Sequence, residues 1–158
     1  MLRGGRLLVV KQRDPVQFIE FGPVSAVAHG FGPETYLRTD ERFDSQPGPD
    51  ADLVVLGSWH HPDSADGFEG VNDMAVGDDE RLYILSSRSR RIGRLERQVH
   101  PGERSVRVSD EWKLPEGLPG GEDGRPEGLA LLPGLVPLVS IDTKVHGDNL
   151  VRLEQLSP

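Results

Sequence analysis

Short apolar runs recur along the chain, none longer than four residues, and each is bounded by Gly, Pro, Asp or Ser. They fall at Arg6–Val10, Phe18–Phe21, Leu53–Leu56, Met74–Val76 and Leu82–Leu85, then at Leu129–Leu132, Leu138–Ile141 and Leu150–Leu153. Such runs between turn-forming residues predict buried or half-buried strands. Val106, Val108, Trp112 and Leu114 keep a period of two, which gives that segment one apolar face. A single short helix is predicted over Pro33–Arg42, where Pro is followed by Glu as at a helix start. Ser45–Asp52, with Pro47, Gly48 and Pro49, reads as a loop.

The runs repeat in order. Leu53–Pro62 lies over Val106–Pro115 at an offset of 53, with Trp-x-x-Pro in both. Met74–Val76 lies over Leu129–Leu131, and Leu82–Ser87 over Pro137–Asp142, both at an offset of 55. Ile92–Glu96 lies over Leu150–Glu154 at an offset of 58, and Gly5–Val10 resembles Glu80–Leu85. A unit of four short antiparallel strands is what a β-propeller blade requires. The expected fold is therefore all-β, a partial β-propeller of about three four-stranded blades in one domain over residues 1–158. Blade 1–59 lacks its inner strand and carries an insertion at 23–51, blade 60–114 is complete, and blade 115–158 lacks its outer strand. An open arc leaves blade faces and strand edges uncovered. It is expected to close either by a missing N-terminal half or by self-association of two arcs. Trp59 and Trp112 share a repeat position, so both are expected to pack between blades.

Composition narrows the classes. With 19 Gly and 13 Pro, long helices have little room. Zero cysteines exclude disulfides, thiolate zinc sites, iron–sulfur clusters and a cysteine nucleophile. A net charge of −8 argues against a nucleic-acid partner. No run is long enough for a membrane span or a signal-peptide core, so no membrane partner and a cytoplasmic location are expected. Charge is uneven: twelve acids and one base lie between Asp40 and Glu80, whereas eight arginines face two acids between Arg81 and Arg107. Solvated loops account for such runs; the sharper alternative is a self-complementary surface or a face for an anionic ligand.

Asn72–Leu95 resembles a blade of the SdiA-regulated propeller family, as do Arg125–Gly134, Ile141–Lys144 and Asn149–Glu154. Lys11–Gly22 has the same look. That family is similar to the six-bladed propellers that include gluconolactonase-like and esterase-like phytase domains. The resemblance implies a ring about twice as long as this chain, and it specifies the blade better than the activity.

In a propeller the axial funnel is the default ligand site. The offset of 55 sets Asn72 opposite Glu127, Asp73 opposite Gly128, and Ser87 opposite Asp142. Asn72, Asp73, Glu127 and Asp142 all offer oxygens of the kind Ca²⁺ takes. The gluconolactonase resemblance implies that acids and amides at such positions hold the ion and polarise a substrate. The competing reading is that Asn and Asp before a strand cap turns through the backbone. His60 and His61 with Asp63 and Asp66 suggest a metal cluster, but the repeat lays the histidines over Lys113 and Leu114, at an outer strand end. His29, His100 and His146 stand singly beside Gly or Pro, and no Gly-x-Ser-x-Gly elbow accompanies them. Two functions are thus expected. One is a non-catalytic propeller that binds a small molecule or protein at its funnel or loops. The other is a calcium-dependent hydrolase of lactone, ester or phosphoester type.

Overall fold

The computed structural model describes residues 6–13, 16–24, 52–61, 68–96, 106–144, 147 and 149–157. These residues form ten strands: β1 (Leu7–Lys11), β2 (Val16–Pro23), β3 (Leu53–His61), β4 (Asp73–Val76), β5 (Leu82–Ser86), β6 (Arg91–Leu95), β7 (Val108–Lys113), β8 (Arg125–Leu132), β9 (Val136–Asp142) and β10 (Leu150–Arg152). Every strand expected from the apolar runs is present. β2 runs one residue into the expected insertion, to Pro23, and β3 two residues past the expected blade limit, to His61. The predicted helix over Pro33–Arg42 lies outside the described residues. Among the described residues, no helix is long and apolar enough to cross a membrane.

The strands form three antiparallel meanders in the orders β1-β2-β3, β4-β5-β6-β7 and β8-β9-β10. Tight turns set their registers. Between β4 and β5, Gly77 N–H donates to the Arg81 carbonyl at 2.9 Å, and Glu80 takes the left-handed conformation at φ 62°. Asp79 accepts from the Arg81 N–H and relieves that turn of an unpaired donor. Arg90, at φ 49°, plays the same part between β5 and β6. Glycine is required at position 93 for a different reason: a Cβ there would stand 2.7 Å from the Phe68 ring.

Two apolar layers join the three sheets. The first combines Val16, Phe18 and Trp59 of the first sheet with Leu82, Ile84 and Leu95 of the middle one, closed by Phe68, Val71 and Val106. The second combines Tyr83, Leu85 and Ile92 with Leu129, Val139 and Ile141 of the last sheet. Strand alternation explains the division, since successive β5 residues point to opposite faces. Trp59 is paired with Phe18, and Trp112 with Ile92. Each tryptophan sits on the last strand of its sheet and faces the layer shared with the following sheet, as their repeat position led us to expect.

The stacking has a sense. Val9, Ile84 and Val139 are equivalent in the repeat. Ile84 faces the preceding sheet, Val139 does too, and both are wholly buried. Val9 has no preceding sheet among the described residues and is 47% exposed. On the opposite faces, Leu8 and Val10 pack toward the middle sheet, and Tyr83 and Leu85 toward the last. Every sheet thus turns the same face backward and the same face forward.

Within the first sheet, Arg6 and Glu20 form an ion pair with both side chains fully buried. Such a pair is costly to desolvate and is retained only with good geometry.

The stacking sense predicts unequal responses at equivalent positions. Ile84→Ala should cost about 2–5 kcal/mol by cavity formation, and Val9→Ala less than about 0.5 kcal/mol, both read from urea unfolding. Similar costs at the two sites would contradict the assignment of faces.

Candidate ligand-binding cavity

A cavity of about 490 Å³ opens at one end of the stack. Its wall comes from four places: the β1–β2 turn, the segment entering β4, the β5–β6 turn and the start of β8. All three sheets therefore contribute to it.

The segment entering β4 is the hinge of this arrangement. Val71 N–H donates to the Gln12 carbonyl at 3.0 Å, which ties the first sheet's turn to the middle sheet. The neighbouring Gly70 is left-handed at φ 79°, and a Cβ there would lie 3.2 Å from the same carbonyl oxygen. Asn72 then bridges two walls. Its Oδ1 accepts from Ser87 N–H at 2.8 Å, and its Nδ2 donates to Glu127 Oε2 at 2.9 Å. Ser86 donates to the Glu69 carbonyl and accepts from Ser89 N–H, which fixes the β5–β6 turn against this segment.

Four arginines line the cavity: Arg13, Arg88, Arg90 and Arg125. Arg90 is directed toward the carbonyls of Gly124 and Pro115, at 3.4 and 3.5 Å. Arg13, Arg88 and Arg125 make no hydrogen bond or ion pair among the described residues. Glu69 and Glu127 are the acids of the lining, and both are exposed.

Of the four oxygen donors expected to hold calcium, the structure brings together Asn72 and Glu127. Asp73 is directed elsewhere. Its Oδ1 accepts from Met74 N–H at 2.8 Å and its Oδ2 from Leu129 N–H at 2.7 Å, so both oxygens serve backbone donors. This is the turn-capping reading of that aspartate, extended across two sheets. Asp142 stands opposite Arg125 in the β8–β9 ladder and is not part of the cavity lining. Among the described residues, no three His, Asp or Glu side chains are grouped as metal ligands would be.

His60 and His61 diverge, as neighbours on a strand must. His60 is exposed, while His61 is buried and its Nδ1–H donates to the Val106 carbonyl at 2.9 Å. Phe68 stands edge-on to its ring at 6.1 Å. Asp63, Asp66, His29, His100 and His146 lie outside the described residues.

The perturbed titrations lie in a network at the other end of the middle sheet. Tyr83 donates to Asp79 Oδ2 at 2.9 Å. Arg94 makes two hydrogen bonds to Asp110 Oδ2, at 2.9 and 2.7 Å, and lies 6.0 Å above the Trp112 ring. Burial, reinforced by the hydrogen bond to Asp79, pushes the Tyr83 phenol up to about 12. The Ser109 hydroxyl and then Arg94 hold Asp110 below the usual carboxylate range, and Asp110 in turn raises Arg94. These groups hold β5, β6 and β7 together and touch no part of the cavity lining.

The arginine set was not singled out from the sequence, yet part of its signal was there. Arg88 and Arg90 belong to the basic run at 81–107. Arg13 lies outside it, but the alignment of Gly5–Val10 with Glu80–Leu85, continued without a gap, sets Arg13 over Arg88. The two occupy the same position in successive turns. Arg125 has no such counterpart.

Comparison with protein-family models, curated proteins and solved structures found no match to the chain. The functional reading therefore rests on the site.

Because the folded-state pKa of Tyr83 is raised from 10.0 to about 12, its contribution to stability is full below pH 10 and is lost as pH rises toward 12. Wild type should lose stability relative to Tyr83→Phe across that window, measured by urea unfolding at each pH. A constant difference between the two proteins would contradict the buried, hydrogen-bonded phenol.

Proposed function

We propose that the three sheets are consecutive blades of a β-propeller and that the chain acts by binding a small molecule in the cavity, without itself performing chemistry. Two observations support the architecture. The sheets stack in one sense, forward face to backward face, as radially arranged blades do and as the two halves of a sandwich do not. The cavity is drawn from turns and strand starts of all three sheets, the place where a propeller's axial funnel opens. The resemblance of the blade sequences to the SdiA-regulated family agrees with this reading.

Exposed apolar residues on the two outer faces fit an arc built for further blades. Val9 and Val55 on one side are 47% and 52% exposed, and Leu132 and Leu150 on the other are 37% and 58% exposed. Those blades would come from more chain or from a second copy.

The observation that carries the binding function is the cavity's construction. Asn72 is locked by two hydrogen bonds, and the walls around it are pinned by backbone bonds between sheets. A pre-formed concave site with a few fixed polar groups is the usual design of a ligand pocket.

Ser87→Trp places an indole in this space while leaving the Ser87 N–H free to bond Asn72. In a thermal-shift screen of small metabolites, compounds that stabilise the wild type should lose their effect on Ser87→Trp. Stabilisation that persists in the variant, or its absence for every compound, would contradict a binding role for the cavity.

A further inference from the structure

Resting on that reading, we infer that the cavity selects a small, multiply charged oxyanion, held by the guanidinium groups of Arg13, Arg88 and Arg125. The chain carries a net charge of −8, with 26 acidic residues against 18 basic ones. A concave surface with four arginines and two glutamates runs against that balance.

The arginines of the middle sheet show what this protein does with such groups elsewhere. Arg91 pairs with Glu111, Arg94 with Asp110, and Arg81 donates to the Leu95 carbonyl at 2.5 Å. In the cavity, Arg90 leans on backbone carbonyls, whereas the other three have no partner among the described residues. Glu69 and Glu127 share the lining with them and form no ion pair with them; Glu127 is bonded to Asn72. Like charges gathered round one concavity repel. Arg13 and Arg88 sit in successive turns, so the same turn position presents a cation from two sheets, and Arg125 adds a third from β8. Cations gathered in one cleft raise the local concentration of anions.

Guanidinium forks match the paired oxygens of carboxylate and phosphate groups, and three forks favour a ligand with more than one such pair. The remaining lining sets a second condition. Glu69 and Glu127 accept hydrogen bonds from hydroxyl groups on the ligand. The occupant is therefore a compact oxyanion that also carries hydroxyl groups.

The test is isothermal titration of the full chain with citrate and with inorganic phosphate, which separate the two oxyanion chemistries, and with glucose as the neutral comparison. Citrate or phosphate should bind, and binding should weaken as sodium chloride is raised. Arg13→Ala, Arg88→Ala and Arg125→Ala should each weaken it by about tenfold or more, and Arg88→Lys by less than Arg88→Ala. Arg152→Ala, at an exposed arginine on β10 outside the cavity, should leave it unchanged. The melting temperature of each unliganded variant should equal or exceed that of the wild type, which separates lost binding from lost folding. Anion binding that survives the three alanine variants, or falls equally with Arg152→Ala, would overturn the inference. Glucose binding that is blocked by Ser87→Trp, with no heat from either anion, would overturn the anion specificity and leave the cavity reading standing. No heat from any of the three, together with no hit in the thermal-shift screen, would overturn both.

Discussion

The fold depends on β5 being covered on both faces at once. All five of its residues are buried, with Leu82 and Ile84 turned to one neighbour and Tyr83 and Leu85 to the other. A strand apolar on both sides cannot face water, and fully burying each such side chain is worth about 1.5–3 kcal/mol. The middle sheet therefore needs a sheet before it and a sheet after it. The first and last meanders have three strands each and are apolar toward the middle one, which meets this need. What remains exposed is the backward face of the first sheet and the forward face of the last.

Stacking in one sense also creates the cavity. Equivalent turns are carried to the same end of the assembly, so side chains distant in sequence come to line one space. Polar groups then hold the sheets in place. At that end the Val71 amide binds the first sheet, Asp73 accepts from the Leu129 N–H of the last, and Asn72 joins Ser87 to Glu127; at the opposite end Asp78 accepts from the Gly134 N–H. Hydrogen bonds to a carboxylate are stronger than neutral ones and contribute about 1.5–3 kcal/mol each. They fix how the first strands of two sheets sit against each other, a relation that apolar packing alone leaves loose.

Most of the strand plan was legible because short apolar runs between Gly, Pro and Asp are strong local signals. The repeat added the order of the sheets and the shared role of Trp59 and Trp112. The calcium set shows where legibility stopped. Alignment put Asn72, Asp73, Glu127 and Asp142 near one mouth, but Asn72 and Asp73 are neighbours and their side chains diverge. One reaches the cavity and the other is consumed by the backbone of β8. The histidine pair, which the repeat already set aside as a metal cluster, diverges in the same way, with His61 directed inward to the Val106 carbonyl. The arginines escaped notice because Arg13 and Arg88 are ordinary surface residues of turns and Arg125 is an exposed residue at the start of β8. Their grouping is a product of the stacking, and the turn equivalence of Arg13 and Arg88 was the trace of it in the sequence.

Methyl and aromatic NOEs in solution examine the two-sided coverage of β5 most directly. Cross-peaks should join the Ile84 methyls to Phe18 and Trp59, and the Leu85 methyls to Val139 and Ile141, in the same sample. Contacts from Ile84 and Leu85 to a single neighbouring sheet, or Ile84 methyls exchanging with solvent-exposed positions, would contradict the stacked arrangement and the cavity that depends on it.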